Sequence, residues 1–117
     1  MRLAATIAIA FVALEHFWIL VLEMFLWTKP LGRRTFGLTP ELAQASKALA
    51  MNQGLYNGFL AAGLVWSLVS GLDSVAIFFL VCVIIAGIFG AITAKSTIVW
   101  VQAAPAVVAL LLELLAR

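Results

Sequence analysis

Between Asp73 and Lys95 the chain carries no charged residue, and Val75 to Ala94 is its most uniformly apolar run, broken mainly by Gly87 and Gly90. A run of this length matches the roughly 20 residues that a helix needs to cross hydrocarbon. Lipid offers the backbone no hydrogen-bond partner, so an isolated crossing segment has to be helical. Three more runs fit the same description: about residues 3–27, 48–70 and 98–115. Hydrophobic residues make up 66% of the chain and charged residues 10%, more apolar surface than a water-soluble domain can hide. The 117 residues leave room for about four such spans and no separate soluble domain. The expected fold class is therefore all-α, a polytopic membrane protein with four transmembrane helices in a compact bundle, one domain over residues 1–117.

The connections are uneven. Lys29-Pro30-Leu31-Gly32 closes the first span, because Pro30 disfavours helical backbone at Lys29 and Gly32 permits a turn. Trp27 suits the membrane interface. Residues 28–47 form the one long polar connection, with Lys29, Arg33, Arg34, Glu41 and Lys47. Within it Thr39-Pro40-Glu41 predicts a helix start, with a capping hydroxyl, a proline at the first helical position and an acid at the positive end of the dipole. The second helix is expected to begin there and to enter the membrane through Leu42 and Leu49. Ser70-Gly71-Leu72-Asp73-Ser74 predicts a tight turn with Asp73 or Ser74 as the next cap, and Lys95-Ser96-Thr97 predicts another. The opening Met1-Arg2 and the apolar residues after it have the look of a signal peptide, but the run resumes beyond His16 and reads as a span. Five basic residues, Lys29, Arg33, Arg34, Lys47 and Lys95, fall on one side of this topology, and Arg2 and Arg117 on the other. The positive-inside rule then places the long connection in the cytoplasm and both termini outside it.

Some classes of function drop out. The net charge of +2 comes from scattered residues, without the basic stripe that nucleic acid requires. Cys82 is the single cysteine, which excludes an internal disulfide or a CxxC site.

The polar residues inside the spans mark the candidate site. Glu15, His16 and Glu23 interrupt the first apolar run. At about 100° per residue they fall on one side of a helix, His16 and Glu23 about 10 Å apart along its axis. Ionisable groups facing lipid cost roughly 2.5 kcal/mol or more, so this stripe is expected to face a bundle interior or a water-filled cavity. The second span supplies Asn52, Gln53, Tyr56 and Asn57 within an arc of about 140°, and amide and phenol groups can donate to carboxylates. Gly54 and Gly58 form a GxxxG pair continued by Ala62, and Gly87 with Ala91 repeats the small-residue spacing. Gln102, with a kink expected at Pro105, adds a polar group from the fourth span. No HExxH or di-iron Glu-x-x-His pattern is present, so neither a metal nor another cofactor is expected. Glu113 and Arg117, four residues apart, read as a surface pair.

Taken together, Glu15-His16, Glu23-Met24-Phe25-Leu26-Trp27, Asn52-Gln53-Gly54-Leu55-Tyr56-Asn57-Gly58, Gly87-Ile88-Phe89-Gly90 and Gln102 with Pro105-Ala106 resemble a family of small bacterial four-helix integral membrane proteins catalogued as a domain of unknown function. The resemblance spans nearly the whole chain and implies a bacterial inner-membrane location, and the family brings no established activity. A second resemblance, to the small multidrug-resistance transporters, rests on length, four spans and a carboxylate near position 15. The long basic connection, His16 and the amide cluster depart from that pattern.

These residues support a proton-linked transporter or channel-like protein for a small solute or cation, assembled as a homo-oligomer in the lipid bilayer through its GxxxG faces. The alternative is a membrane-embedded enzyme or lipid-binding protein in which Glu15 and His16 work as an acid/base pair on a lipophilic molecule. A purely structural subunit is a third.

Overall fold

The computed structural model describes residues 1–117 and contains helices and no strands. In chain order these are α1 (Arg2–Met24), α2 (Pro30–Phe36), α3 (Pro40–Ala45), α4 (Lys47–Ser70), α5 (Asp73–Thr93), a π-helical segment (Val99–Ala103) and α6 (Ala104–Ala116). Three stretches are long and apolar enough to cross a membrane: Arg2–Met24, Asp73–Thr93 and Val99–Ala116. The fourth expected span, α4, is as long as these but is not among them. Asn52, Gln53, Tyr56 and Asn57 crowd its first half, and these polar groups lower its apolarity.

The chain forms two compact units, residues 1–14 with 60–117 and residues 15–59. The core of the first is built from Ile9, Val12 and Ala13 of α1, Leu64 of α4, Ala76, Leu80 and Val83 of α5, and Ala106 and Ala109 of α6. Small residues set its spacing. A Cβ built on Gly87 would lie 2.8 Å from both the Cβ and the backbone N of Ala103, so α5 and the π-helical segment touch backbone to backbone. Ala91, the other small residue expected to pack there, is only partly buried.

The wide turn of Val99–Ala103 stands where a proline kink was expected. Pro105 has no N–H to give, and its ring crowds the carbonyl of the residue four before it, Val101. A widened turn relieves that crowding while the helical path continues into α6.

In the second unit the long polar connection is more ordered than its composition suggested. Helix α1 stops at Met24, three residues short of the expected Trp27. Lys29 takes the extended backbone that a following proline imposes (φ −85°, ψ 160°), and Pro30 then opens a helix of its own. Gly37 ends α2 in the left-handed region at φ 66°, a conformation that glycine reaches without strain. Thr39 caps α3 as its sequence predicts, its hydroxyl oxygen accepting from the Leu42 amide at 3.1 Å. That helix does not run on into the next, because Ser46 departs from helical backbone (φ −100°, ψ 7°). Trp27 is tied down inside this unit: its indole N–H donates to Ser46 Oγ at 3.0 Å, and its ring lies 4.9 Å from that of Phe36. Gly32 is buried where any Cβ would run into the Leu26 carbonyl, so α2 closes directly over the end of α1.

The turn before α5 also differs in detail from expectation. Leu72, and not Asp73 or Ser74, occupies the cap position without a side-chain cap bond. The Asp73 carboxylate is engaged elsewhere, by Arg2.

Candidate functional site

All three ionisable residues of the α1 stripe belong to the second unit. His16 is fully buried. Glu15 beside it is partly buried, and its Oε1 is out of contact with solvent and without a hydrogen-bond partner. Two turns further on, Glu23 Oε1 accepts a hydrogen bond from Asn57 Nδ2 at 2.6 Å. The same amide donates to the Gln53 carbonyl at 3.1 Å, which holds the Asn57 side chain along α4 and aims its other hydrogen at the carboxylate.

Glycines make this contact possible. A Cβ on Gly54 would lie 2.6 Å from Met24 Cγ, 3.1 Å from Glu23 Cβ and 3.3 Å from the Leu20 carbonyl oxygen, and one on Gly58 would lie 2.5 Å from Leu20 Cδ1. Without side chains at these two positions α4 comes close enough to α1 for a short amide to reach Glu23. The GxxxG pair is thus filled within the chain and is not a free assembly face. Ala62, which the four-residue spacing appended to that pair, is exposed. Each four-residue step advances about 40° around a helix, so Ala62 has turned about 80° from Gly54.

The same geometry separates the polar residues of α4. Taking Gly54 as zero, Asn57 lies about 60° away, Gln53 about 100°, and Asn52 and Tyr56 about 160°. Of these four, Asn57 alone donates to an α1 carboxylate, that of Glu23. Asn52, Gln53 and Tyr56 are exposed, and the Tyr56 ring packs edge-on against Phe59, with centroids 5.9 Å apart. The four groups expected to serve the α1 carboxylates therefore part company: Asn57 reaches Glu23, and none of them pairs with Glu15 Oε1. Gln102 is partly buried in the first unit. No three His, Cys, Asp or Glu side chains converge as metal ligands would.

A second polar cluster lies in the first unit. Arg2 Nη1 donates to Glu113 Oε2 at 2.7 Å, and Arg2 Nη2 donates to Asp73 Oδ1 at 3.2 Å. Glu113 is 1% exposed while Arg2 and Asp73 stay open to the surface, so the expected surface pair with Arg117 is replaced by a part-buried clasp between the beginning of α1, the beginning of α5 and the end of α6. The three charged groups line one side of a cavity of about 340 Å³, with Thr6 and Ser67 among its other walls. Spacing along the chain pointed Glu113 at Arg117. A buried acid in an apolar run does demand a cation, but nothing in a linear sequence shows that residue 2 lies beside residue 113.

The family described as "Protein of unknown function (DUF1304)" matches residues 10–114. The chain is also 31% identical over 104 residues to "Uncharacterized protein YpaA" of Lactococcus lactis subsp. lactis (strain IL1403), covering 86% of this chain and 87% of that protein. No solved structure matches it. The matched region takes in α1 from its middle, both sides of the Glu23–Asn57 contact and Glu113, and the chain belongs to this DUF1304 family.

Proposed function

We propose that the protein is a four-helix inner-membrane transporter or channel-like protein that moves a small solute or cation with proton exchange on Glu15 or Glu23. The observation that carries this reading is the Glu15 carboxyl, whose Oε1 is enclosed without a partner one residue from a fully buried His16. A buried polar atom left unpaired in a native fold calls for a function or a visiting partner, and ionisable groups within apolar spans mark ion and solute paths. Glu23, held by a single amide, is the second station about 12 Å along the same helix. An apolar surrounding penalises an uncompensated charge, so arrival of a cation and departure of a proton become one event.

The Arg2 clasp supports four crossings. It joins the start of α1 to the start of α5, and a chain that leaves that side of the bilayer along α1 returns to it only if α4 crosses as well. The five-to-two distribution of Lys and Arg supports a cytoplasmic position for residues 28–47, with both termini outside.

The test is flux in liposomes holding a pH-sensitive dye, with potassium, ammonium or tetramethylammonium supplied outside. Purified protein is expected to couple movement of one of these cations to protons, and Glu15→Gln or Glu23→Gln to abolish the coupling. Full activity in both variants would sink the site assignment. Turnover of an added lipid by detergent-solubilised protein, with no gradient present, would transfer Glu15 and His16 to the enzymatic reading.

A further inference from the structure

We propose that the face of α4 turned away from α1 is a self-association surface, on which a second copy of this chain covers Asn52, Gln53 and Tyr56. The inference rests on the reading of α4 as a membrane span.

Gly54 and Gly58 seat α4 against Leu20, Glu23 and Met24 of α1. Asn52 and Tyr56 point roughly opposite to that seat, about 160° around the helix, and Gln53 lies between. None of the three side chains makes a hydrogen bond within the chain. Around them stand Leu49, Leu55 and Phe59, which are 72%, 43% and 54% exposed. The face is therefore apolar at its edges and carries two amides and a phenol along its middle. In hydrocarbon those groups have no partner, and leaving an amide unpaired there is costly.

The chemistry of the groups selects the occupant. A side-chain amide presents two donors and an acceptor, and a phenol one of each, so a strip of them is its own complement. A two-fold axis brings such a strip against itself, each amide meeting an identical one, which is how Asn and Gln hold membrane helices together. Lys47 is the one charged residue of α4, and it lies about 140° from Asn52, so identical faces meet without like-charge repulsion. The small-residue face is already filled by α1 and cannot serve instead.

Site-directed cross-linking tests this. In a Cys82→Ser background, Asn52→Cys and Tyr56→Cys are placed singly in dilute proteoliposomes and oxidised, with Ile92→Cys, 79% exposed on α5, as the comparison. Dimers are expected from positions 52 and 56 about tenfold faster than from 92, and Asn52→Leu with Gln53→Leu is expected to weaken dimerisation about tenfold or more. Equal rates at all three positions would overturn the proposal. So would rapid labelling of Asn52→Cys by a membrane-impermeant maleimide, because water would then be what covers the face. Flux separates this inference from the transport reading: protein that cross-links but moves no proton sinks transport alone, and protein that moves protons without cross-linking sinks the dimer alone.

Discussion

Glu23 and Asn57 answer differently to substitution because one accepts and the other donates. Glu23→Gln keeps an oxygen for the Asn57 amide at the place where it now lies 2.6 Å away, so stability in detergent is expected to change by less than about 1 kcal/mol while the proposed proton coupling is lost. Asn57→Leu removes the donor and leaves a carboxyl unpaired between helices, at an expected cost of about 1–3 kcal/mol. Thermal unfolding of the two purified variants checks the contrast, and equal losses would mean that the hydrogen bond does not hold the helices. The glycines divide in the same way. At Gly54 a methyl group meets Met24 Cγ, Glu23 Cβ and a backbone oxygen, and Gly54→Ala is expected to destabilise by about 1–2 kcal/mol. At Gly58 it meets the tip of Leu20 alone, which can rotate aside, and the better helix propensity of alanine, about 1 kcal/mol, brings Gly58→Ala close to neutral. At this scale the sequence was informative where a residue type is rare for its surroundings. Glu15, His16 and Glu23 stand out in an apolar run because each is expensive there. Asn52, Gln53, Tyr56 and Asn57 are alike in composition, and only the glycine seat decides which of them faces α1. That signal was present, since Gly54 and Gly58 mark the packed face and Asn57 lies nearest to it.

Among the elements, α2 and α3 show where pattern reading loses resolution. Thr39 announced its helix correctly because capping is a local act, completed within three residues. The break at Ser46 was not legible, because its hydroxyl is shared between a local bond to the Leu42 carbonyl and one from the distant Trp27 indole, and the second cannot be read from the segment. Gly32 is the position at which this cap is least forgiving: Gly32→Ala places a methyl group on the Leu26 carbonyl and is expected to cost more than Gly54→Ala, with α2 lifted from α1. Protease sensitivity confined to residues 28–47 would report that opening, and an unchanged digestion pattern would contradict the packing described. The Arg2 clasp behaves as a paired element. Arg2→Ala strands a carboxylate that is 1% exposed, with an expected loss of about 1–2 kcal/mol because Arg2 itself is half exposed to water, whereas Arg2→Met combined with Glu113→Leu recovers most of it because the one carboxylate left, Asp73, is exposed. A melting series across the cycle distinguishes the two outcomes.

For the whole molecule, the number of crossings is the quantity that sequence and structure constrain from different sides. Hydropathy alone selects three helices, while the proposed four-helix topology has two crossings between Arg2 and Asp73. Single cysteines at Thr35 and Ser74 in a Cys82→Ser background decide it: four crossings put them on opposite faces of the bilayer, three put them on the same face, and an impermeant maleimide applied to intact cells is expected to label Ser74→Cys alone. The clasp also has a consequence in time. Its two ends are 111 positions apart in the chain, so a ribosome delivers Arg2 long before the acid that grips it. Synthesis therefore runs through α1, α4 and α5 before the helix that carries Glu113 can close the clasp. Chains halted before Glu113 are expected to stay open to proteolysis, and halted chains as long-lived as those that include it would show that the clasp is not what completes assembly.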